Sequence, residues 1–254
     1  VCYDECNTWL MNEVDEKFRQ EAIKLGALEY NIPALIDQEV LSKCGYFSTF
    51  PQHLTMAAHA KRDVYDQIAK ENKISYDTAE ISQQYFTPAA CLHIYPMLED
   101  QDLHERIITT KARVYRYEDE IFDGKTRLWD FTVREIVFIG SRDYVSDCLE
   151  HMKSTTLGYL NSIGLPAEIC SATDNFYPNK KNSIKQKLQL SNSLKFELVV
   201  QIDANAVAIS SFNFHDTHFS KPFHFDKSGK IVTGCVGYGL ERWVFALNCY
   251  NIRL

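Results

Sequence analysis

One glycine-rich stretch near the C-terminus most constrains what this chain can fold into: Gly234-Cys235-Val236-Gly237-Tyr238-Gly239-Leu240-Glu241-Arg242-Trp243. It follows a β-like run that ends at Val232, and from Trp243 onward the apolar spacing is that of a helix. Closely spaced glycines let a backbone approach a ligand, N–H groups at a helix start favour anions, and arginine supplies a permanent forked charge. The stretch therefore predicts a phosphate site. A tight strand-to-helix turn with a surface arginine is the alternative.

Composition limits the fold and the partners. The chain has 254 residues, of which 45% are apolar, enough for one large domain or one domain with a small appendage. Its net charge is −7 without a sustained Lys/Arg block, which argues against a large nucleic-acid-binding surface. No apolar run approaches the length of a membrane span. The cysteines lack the spacing of a disulfide framework, so we expect most to be reduced core residues of a cytoplasmic protein.

The spacing of apolar residues predicts an order of helices and strands. Helical spacing or end signals occur at 5–25, 33–43, 57–70 and 143–161, and the polar segment 175–193 is expected to be an exposed loop or short helix. Runs rich in apolar, β-branched or aromatic residues predict strands at 89–95, 107–115, 128–139, 195–202 and 206–213. We therefore predict an α+β fold in which one mainly antiparallel sheet is flanked by helices.

Two of these strands form a hairpin that carries arginines and carboxylates at alternate positions. On a strand, Arg116 and Glu118 share one face, as do Arg127, Phe131 and Glu135. Such a face can hold a nucleotide, with arginine on phosphate, a ring under the base and a carboxylate on an exocyclic amine. Cross-strand ion pairs on a solvated face are the alternative.

Taken together, these segments resemble the signature motifs of class II aminoacyl-tRNA synthetases, and most closely those of seryl-tRNA synthetases. The second motif is matched by Arg116–Glu118 and Arg127–Glu135, the third by Gly237–Arg242, and the active-site strand by Ala208–Asn213. Pro51 falls where the family's dimer-forming first motif has its proline. The resemblance thus implies the class II synthetase-like antiparallel sheet and a homodimer.

The resemblance extends from about residue 40 to the C-terminus. It implies a single catalytic domain over residues 1–254, preceded by a short helical segment at about 1–45. The family's long coiled-coil arm, which holds tRNA, has no counterpart in the first 45 residues, which show no sustained heptads.

Three residues narrow the resemblance to a zinc-containing subgroup of the family. Cys235 replaces the first glycine of the usual Gly-x-Gly-x-Gly-x-x-Arg motif, and Cys91 lies in the run predicted as a strand. With Glu135 they are similar to the zinc site of methanogen-type seryl-tRNA synthetases and of amino acid:[carrier protein] ligases. Three protein ligands would leave a fourth zinc position open for the amine of an amino acid. Two buried thiols and a structural carboxylate are the alternative.

The resemblance implies a role for each remaining residue. Arg116 and Arg242 would be catalytic. Arg116 would bind the α-phosphate and the substrate carboxylate, and Arg242 would cover the outer face of adenine and reach the γ-phosphate. The other implied ATP-binding residues are Glu118 on the adenine amine, Phe131 under the ring, Arg127, Ser211 and Glu241. Magnesium would accompany ATP, although the family's metal-binding Glu is replaced by Val207 or Ala208, depending on register.

The implied reaction activates a small amino acid as its adenylate and transfers it to the phosphopantetheine thiol of a carrier protein. The segments 173–176, 194–198 and 214–219 look like those of the carrier-protein ligases, and the missing arm makes tRNA the less expected acceptor. The catalytic domain of a zinc-dependent seryl-tRNA synthetase, or a synthetase-like regulatory protein without catalysis, are the alternatives. The lysines at 180, 181, 185 and 187 suit an acidic carrier or form a solvated loop. We expect His215, His218 and His224 to be structural or surface histidines, with metal binding as the alternative.

Overall fold

The computed structural model describes residues 3–117, 122–226 and 228–254. Its α-helices are α1 (Glu5–Lys24), α2 (Gln38–Lys43), α3 (Tyr46–Thr49), α4 (Tyr65–Glu71), α5 (Ile94–Met97), α6 (Arg142–Ile163), α7 (Lys180–Ser191) and α8 (Leu240–Cys249). Its strands are β1 (Leu28–Glu29), β2 (Leu35–Asp37), β3 (Met56–Ala60), β4 (Ala79–Phe86), β5 (Arg106–Tyr115), β6 (Asp130–Gly140), β7 (Glu168–Ser171), β8 (Lys195–Ile202), β9 (Asn205–Asp216) and β10 (Val232–Gly239). None of the helices in these ranges combines the length and apolarity needed to cross a bilayer.

Within the described ranges the main sheet has seven strands in the order β1-β5-β6-β10-β9-β8-β7. Only the short β1 pairs in parallel, with β5, and the other neighbours are antiparallel. A smaller antiparallel sheet has the order β2-β4-β3. The predicted α+β architecture, a mainly antiparallel sheet with flanking helices, is confirmed.

The main sheet has two faces with different surroundings. Along β6, Ile136 and Phe138 point into a core shared with α1, α6 and α8, which we call the helix-covered face. The alternate residues Val137 and Ile139 point the other way, toward the 90–98 segment and the Phe219–Phe225 loop. We call this second side the cavity face.

Aromatic packing and a buried ion pair hold α1 on the helix-covered face. The Phe18 ring stacks on Tyr238 of β10 with centroids 3.7 Å apart and meets the edge of Trp243 in α8. Arg134 of β6 is buried, and its guanidinium contacts Asp15 in α1 at 2.7 Å and Glu29 in β1 at 2.9 Å. The first 45 residues therefore share the core of the main sheet and contribute strands as well as the predicted helix.

The glycine-rich stretch differs from its prediction. It does not turn before the helix, because β10 continues through Gly239, and α8 starts at Leu240 rather than Trp243. Close packing explains why position 234 of this stretch is a glycine: a Cβ there would lie 2.8 Å from Val145 Cγ1 and 3.0 Å from the Asn213 carbonyl. The missing side chain lets α6 pack directly on the sheet.

Two predicted elements are wrong. The 89–95 run is a 3-10 turn (Ala90–His93) followed by α5, because it is surrounded by core, and an apolar run of that length has no face to distinguish strand from helix. The 57–70 run is not one helix: Met56–Ala60 pairs with β4, and helix resumes only at Tyr65. Strand pairing overrides the helix propensity of its alanines.

Smaller differences occur elsewhere. The predicted 33–43 helix begins as strand β2 and becomes helical only at Gln38. The segment expected to be a loop or short helix contains the twelve-residue α7, capped by the Asn179 side chain on the Asn182 N–H. The long helices α1 and α6 match their predictions, α6 beginning after the Ser141 cap and ending at Gly164 in the left-handed conformation.

Candidate active site

A cavity of about 640 Å³ opens on the cavity face of the main sheet. Its floor follows from strand register: Glu135, Gly237 and Ser211 lie side by side on β6, β10 and β9, and Cys235 lies beside Asn213 in the next row. Cross-strand neighbours share a face, so these side chains meet although they are far apart in sequence. Gly237 contributes no side chain, which leaves open floor between Glu135 and Ser211.

Three potential metal ligands converge at one end of this floor. One ligand atom each from Cys91, Glu135 and Cys235 lies within 4.8 Å of the other two, and all three residues are buried. Cys91 comes from the 3-10 turn above the sheet, and its backbone N–H donates to Glu135 Oε2 at 3.0 Å. The structure thus brings together the three residues that the sequence predicts as zinc ligands.

The chemistry of this donor set fits a divalent cation. The hydrogen bond with Cys91, burial and the Glu135 carboxylate raise the pKa of the Cys235 thiol well above its usual value. Without a cation the thiols therefore keep their protons, and a soft divalent ion would displace them as it binds. Two thiolates and one carboxylate are a zinc donor set with an open fourth position.

The other end of the cavity carries an arginine above an aromatic ring. The Arg116 guanidinium lies 5.5 Å from the centroid of Phe131, and its Nε donates to the Pro88 carbonyl at 2.8 Å. Both residues line the cavity, as does Arg127. Phe131 thus offers a flat surface next to a fixed positive charge, an arrangement that suits a nucleotide.

Arg242 closes this end from the first turn of α8. Its Nε donates to the Thr126 carbonyl at 2.7 Å and its Nη1 to the Ala208 carbonyl at 3.0 Å. The side chain thereby connects the β5–β6 hairpin loop to β9 across the cavity, so its guanidinium is held in place before any ligand arrives.

Glu241, predicted to bind ATP, has a structural partner instead. Glu241 lines the cavity, but its carboxylate accepts from the Thr132 N–H at 2.7 Å and from the Thr132 hydroxyl at 2.9 Å. It therefore fixes the start of α8 against β6. Glu118 lies outside the described residues.

The register question on β9 has an answer. Val207 packs in the core of the helix-covered face, whereas Ala208 and Ser211 line the cavity. An irregularity in the pairing of β8 with β9, between Leu198 and Val199, accounts for the spacing of three between the two cavity-facing residues. Of these two positions, Ala208 is therefore the one whose side chain faces the cavity.

Several cavity residues were missed from the sequence. Lys195 Nζ contacts Asp174 at 2.6 Å and Glu197 at 3.0 Å, and this charged group forms one wall. Burial lowers the pKa of His53, which also lines the cavity, to about 4. Alternation along β8 could have placed Lys195 and Glu197 on one face, but no local pattern points to Asp174 or His53.

The histidines and lysines that the sequence singled out separate into groups. His215 and His218 line the cavity, whereas His224 is exposed beside Asp100. On α7, Lys185 lines the cavity and its Nζ lies 3.3 Å from the Thr49 hydroxyl, while the other three predicted lysines are exposed. The helix therefore has one side toward the cavity and a basic side toward solvent.

No protein-family model matches the chain. It is 27% identical over 232 residues to amino acid–[acyl-carrier-protein] ligase 1 of Bradyrhizobium diazoefficiens, a match that covers 87% of this chain and 71% of the ligase. It is 26% identical to the type-2 serine–tRNA ligase of Methanococcus aeolicus, over 93% of this chain and 50% of that protein.

A solved structure shares the fold. The crystal structure of A. aeolicus tRNASec in complex with M. kandleri SerRS matches with a TM-score of 0.82 and 21% identity, over 96% of this chain and 52% of that one. The chain thus spans about half the length of the tRNA ligases that it matches. The chain is therefore a homologue of the amino acid–[acyl-carrier-protein] ligases and of the type-2 seryl-tRNA synthetases, with a class II synthetase-like fold.

Proposed function

We propose that this protein activates a small amino acid with ATP and transfers it to the phosphopantetheine thiol of a carrier protein. The observation that carries the proposal is that one cavity holds both the Cys91–Glu135–Cys235 cluster and the Arg116–Phe131–Arg242 group. An amino acid bound at the first and ATP at the second would have the carboxylate and the α-phosphate between them.

The amino-acid end depends on zinc. Cys91, Glu135 and Cys235 would hold the ion, which supplies a fourth position for the substrate amine and thereby selects and orients the amino acid. Ser211 and the bare Gly237 lie beside the cluster, so a small side chain fits this floor. Glycine, alanine and serine are the candidate substrates.

Formation of the adenylate would take place at the nucleotide end of the cavity. A carboxylate oxygen of the amino acid attacks the α-phosphorus, the bond to the bridging oxygen breaks, and pyrophosphate leaves with the electron pair. Arg116 is placed to bind the α-phosphate and the substrate carboxylate, while Phe131 supports the adenine ring. Arg242, assisted by Arg127, offsets charge on the leaving pyrophosphate. Catalysis on this site is positioning and charge stabilisation.

Magnesium would arrive with ATP. Since Ala208 replaces the carboxylate of β9, the ion would depend on phosphate oxygens, water and the Ser211 hydroxyl. Glu118 keeps its predicted role as acceptor from the adenine amine.

The acceptor proposal draws on helix α7. Its solvent side exposes Lys180, Lys181 and Lys187 together with Ile184, a combination that suits an acidic carrier protein. The similarity to the carrier-protein ligase supports this acceptor. A seryl-tRNA synthetase activity is the second candidate, favoured by the similar identity to the type-2 serine–tRNA ligase. A homodimer built around the Pro51 segment and a cytoplasmic location complete the proposal.

Two assays separate these functions. Amino-acid-dependent ATP–pyrophosphate exchange reports activation, and its absence for every amino acid would leave a non-catalytic binding protein. Labelled amino acid is then offered to holo carrier protein and to tRNA; label on tRNA alone rejects the proposed acceptor.

Metal analysis tests the amino-acid end. We expect about one zinc per chain, lost on Cys91→Ser or Cys235→Ser and retained on Cys170→Ser, whose free thiol lies on β7 outside the cavity. Equal zinc in all three variants would contradict the assigned ligands.

A further inference from the structure

The charge of the proposed zinc centre needs an offset. Two thiolates and one carboxylate carry three negative charges against two positive ones on zinc, and all three residues are buried. A net charge away from water is costly unless hydrogen-bond donors surround it. Glu135 has such a donor in the Cys91 N–H, at 3.0 Å, and the Tyr95 hydroxyl hydrogen-bonds to the Cys91 thiol.

The hydrogen-bond donors to the Cys235 sulfur come from two nearby residues of β9. His215 Nε2 lies 3.5 Å from Cys235 Sγ, and Asn213 Nδ2 lies 3.6 Å from the same sulfur. Asn213 is the direct cross-strand partner of Cys235, and its amide also donates to the Ser211 hydroxyl at 3.3 Å. The sulfur therefore faces two nitrogen donors from one strand.

A β-bulge directs His215 to this position. Gly234 pairs with Phe214 and Thr233 pairs with Asp216, so His215 is the extra residue on β9. Bulges re-aim a side chain and often occur next to active sites.

The surroundings of the ring fix which nitrogen carries the hydrogen. His215 Nδ1 lies 3.2 Å from the Thr233 hydroxyl and 3.4 Å from the Tyr95 hydroxyl. The Thr233 hydroxyl can donate to Nδ1, whereas Nε2 faces sulfur, so the consistent tautomer has its hydrogen on Nε2. The Phe219 ring meets the imidazole edge-on at 5.0 Å and keeps it in place.

We propose that His215 is a positioning residue for the metal centre: its Nε2–H holds Cys235 Sγ toward Cys91 and Glu135 and offsets the excess negative charge. The inference rests on the zinc centre of the proposed function. Outer-shell partners of this kind typically change metal affinity by about 10–100-fold.

Zinc affinity of the full chain, measured by competition with a chromophoric chelator and without ATP or amino acid, tests the proposal. His215→Leu removes the donor and should weaken zinc binding by about 10–100-fold. His215→Gln places an amide N–H at a similar reach and should restore most of the affinity. The exposed His104, which belongs to neither group of potential metal ligands, is the matched control, and His104→Leu should bind zinc as the wild type does.

Cobalt(II) is a second probe, because its thiolate charge-transfer band reports the electron density on sulfur. The band should shift in the His215→Leu protein and return in His215→Gln. Wild-type affinity with an unshifted band in His215→Leu would overturn the proposal, as would equal losses in the Leu and Gln proteins. If the wild-type chain binds no zinc, it is the metal centre of the proposed function that fails.

Discussion

Arg134 and Glu135 are consecutive residues of β6, and they show how differently the two faces of the sheet treat charge. On the helix-covered face, buried Arg134 is neutralised by Asp15 and Glu29 from the same chain. On the cavity face, the Glu135 carboxylate lies beside two thiols, Cys91 and Cys235, and neither of them can supply a positive charge. The charge on the helix-covered face is thus neutralised within the chain, whereas on the cavity face the proposed zinc ion would supply the positive charge.

The largest expected effect tests the helix-covered face. Arg134→Met should destabilise the protein by about 3–5 kcal/mol, because it leaves the buried carboxylate of Asp15 without its main partner. Urea unfolding measures this, and ATP–pyrophosphate exchange by the folded protein should stay unchanged. The control Arg113→Met breaks a more exposed pair with Asp130 and should cost less than about 1 kcal/mol. Equal losses in both variants would contradict the assigned difference.

A substitution on the cavity face should instead lower activity without lowering stability. Arg242→Ala should lower exchange by about 10²–10³-fold, the usual effect of removing one charge-stabilising donor. Circular dichroism should show the fold intact. The control Arg113→Ala, on strand β5 and outside the cavity, should exchange as the wild type does. Exchange within a few-fold of wild type in Arg242→Ala would remove Arg242 from the mechanism.

The cavity face should also respond to acid. Burial holds the pKa of His53 at about 4 in the folded protein, below its value in the unfolded chain, so unfolding takes up a proton between about pH 6.5 and pH 4. The stability that His53 contributes above pH 6.5 should therefore fall by about 3 kcal/mol toward pH 4, separately from the loss at His93, whose pKa burial also lowers to about 4. His53→Phe should remove this contribution from the pH profile of unfolding and make it less steep, whereas His104→Gln, at an exposed site, should leave the profile unchanged. Parallel profiles for wild type and His53→Phe would contradict the assignment.

Two glycines of β10, Gly234 and Gly237, allow the two faces to be compared within one strand. At Gly234 an added Cβ meets Val145 and the Asn213 backbone, so Gly234→Ala should cost about 1–3 kcal/mol of stability through overpacking. At Gly237 an added Cβ would lie 3.4 Å from Ser211 Oγ, an ordinary contact, and stability should hold. Gly237→Ala instead fills the substrate floor and should raise the amino-acid KM in exchange about 10-fold or more. The reverse pattern would show that the two faces are misassigned.

The sequence predicts the helix-covered face better than the cavity face, for physical reasons. Helices α1 and α6 carry their caps and apolar spacing within one segment, so local reading finds them. The Cys91 turn is buried throughout and therefore has no periodicity to read, so the role proposed for Cys91 comes from motif resemblance rather than from secondary structure. Asp174 and His53 reach the cavity only through tertiary packing. The bulge at His215 is a property of strand pairing, which one sequence does not encode locally.

The most direct test of the central claim is ATP–pyrophosphate exchange across a panel of amino acids, run with zinc-loaded and zinc-stripped protein. We expect exchange with one small amino acid, lost on removal of zinc and regained when zinc is returned. Equal exchange by the stripped protein, or none with any amino acid after zinc loading, would contradict activation at the Cys91–Glu135–Cys235 centre.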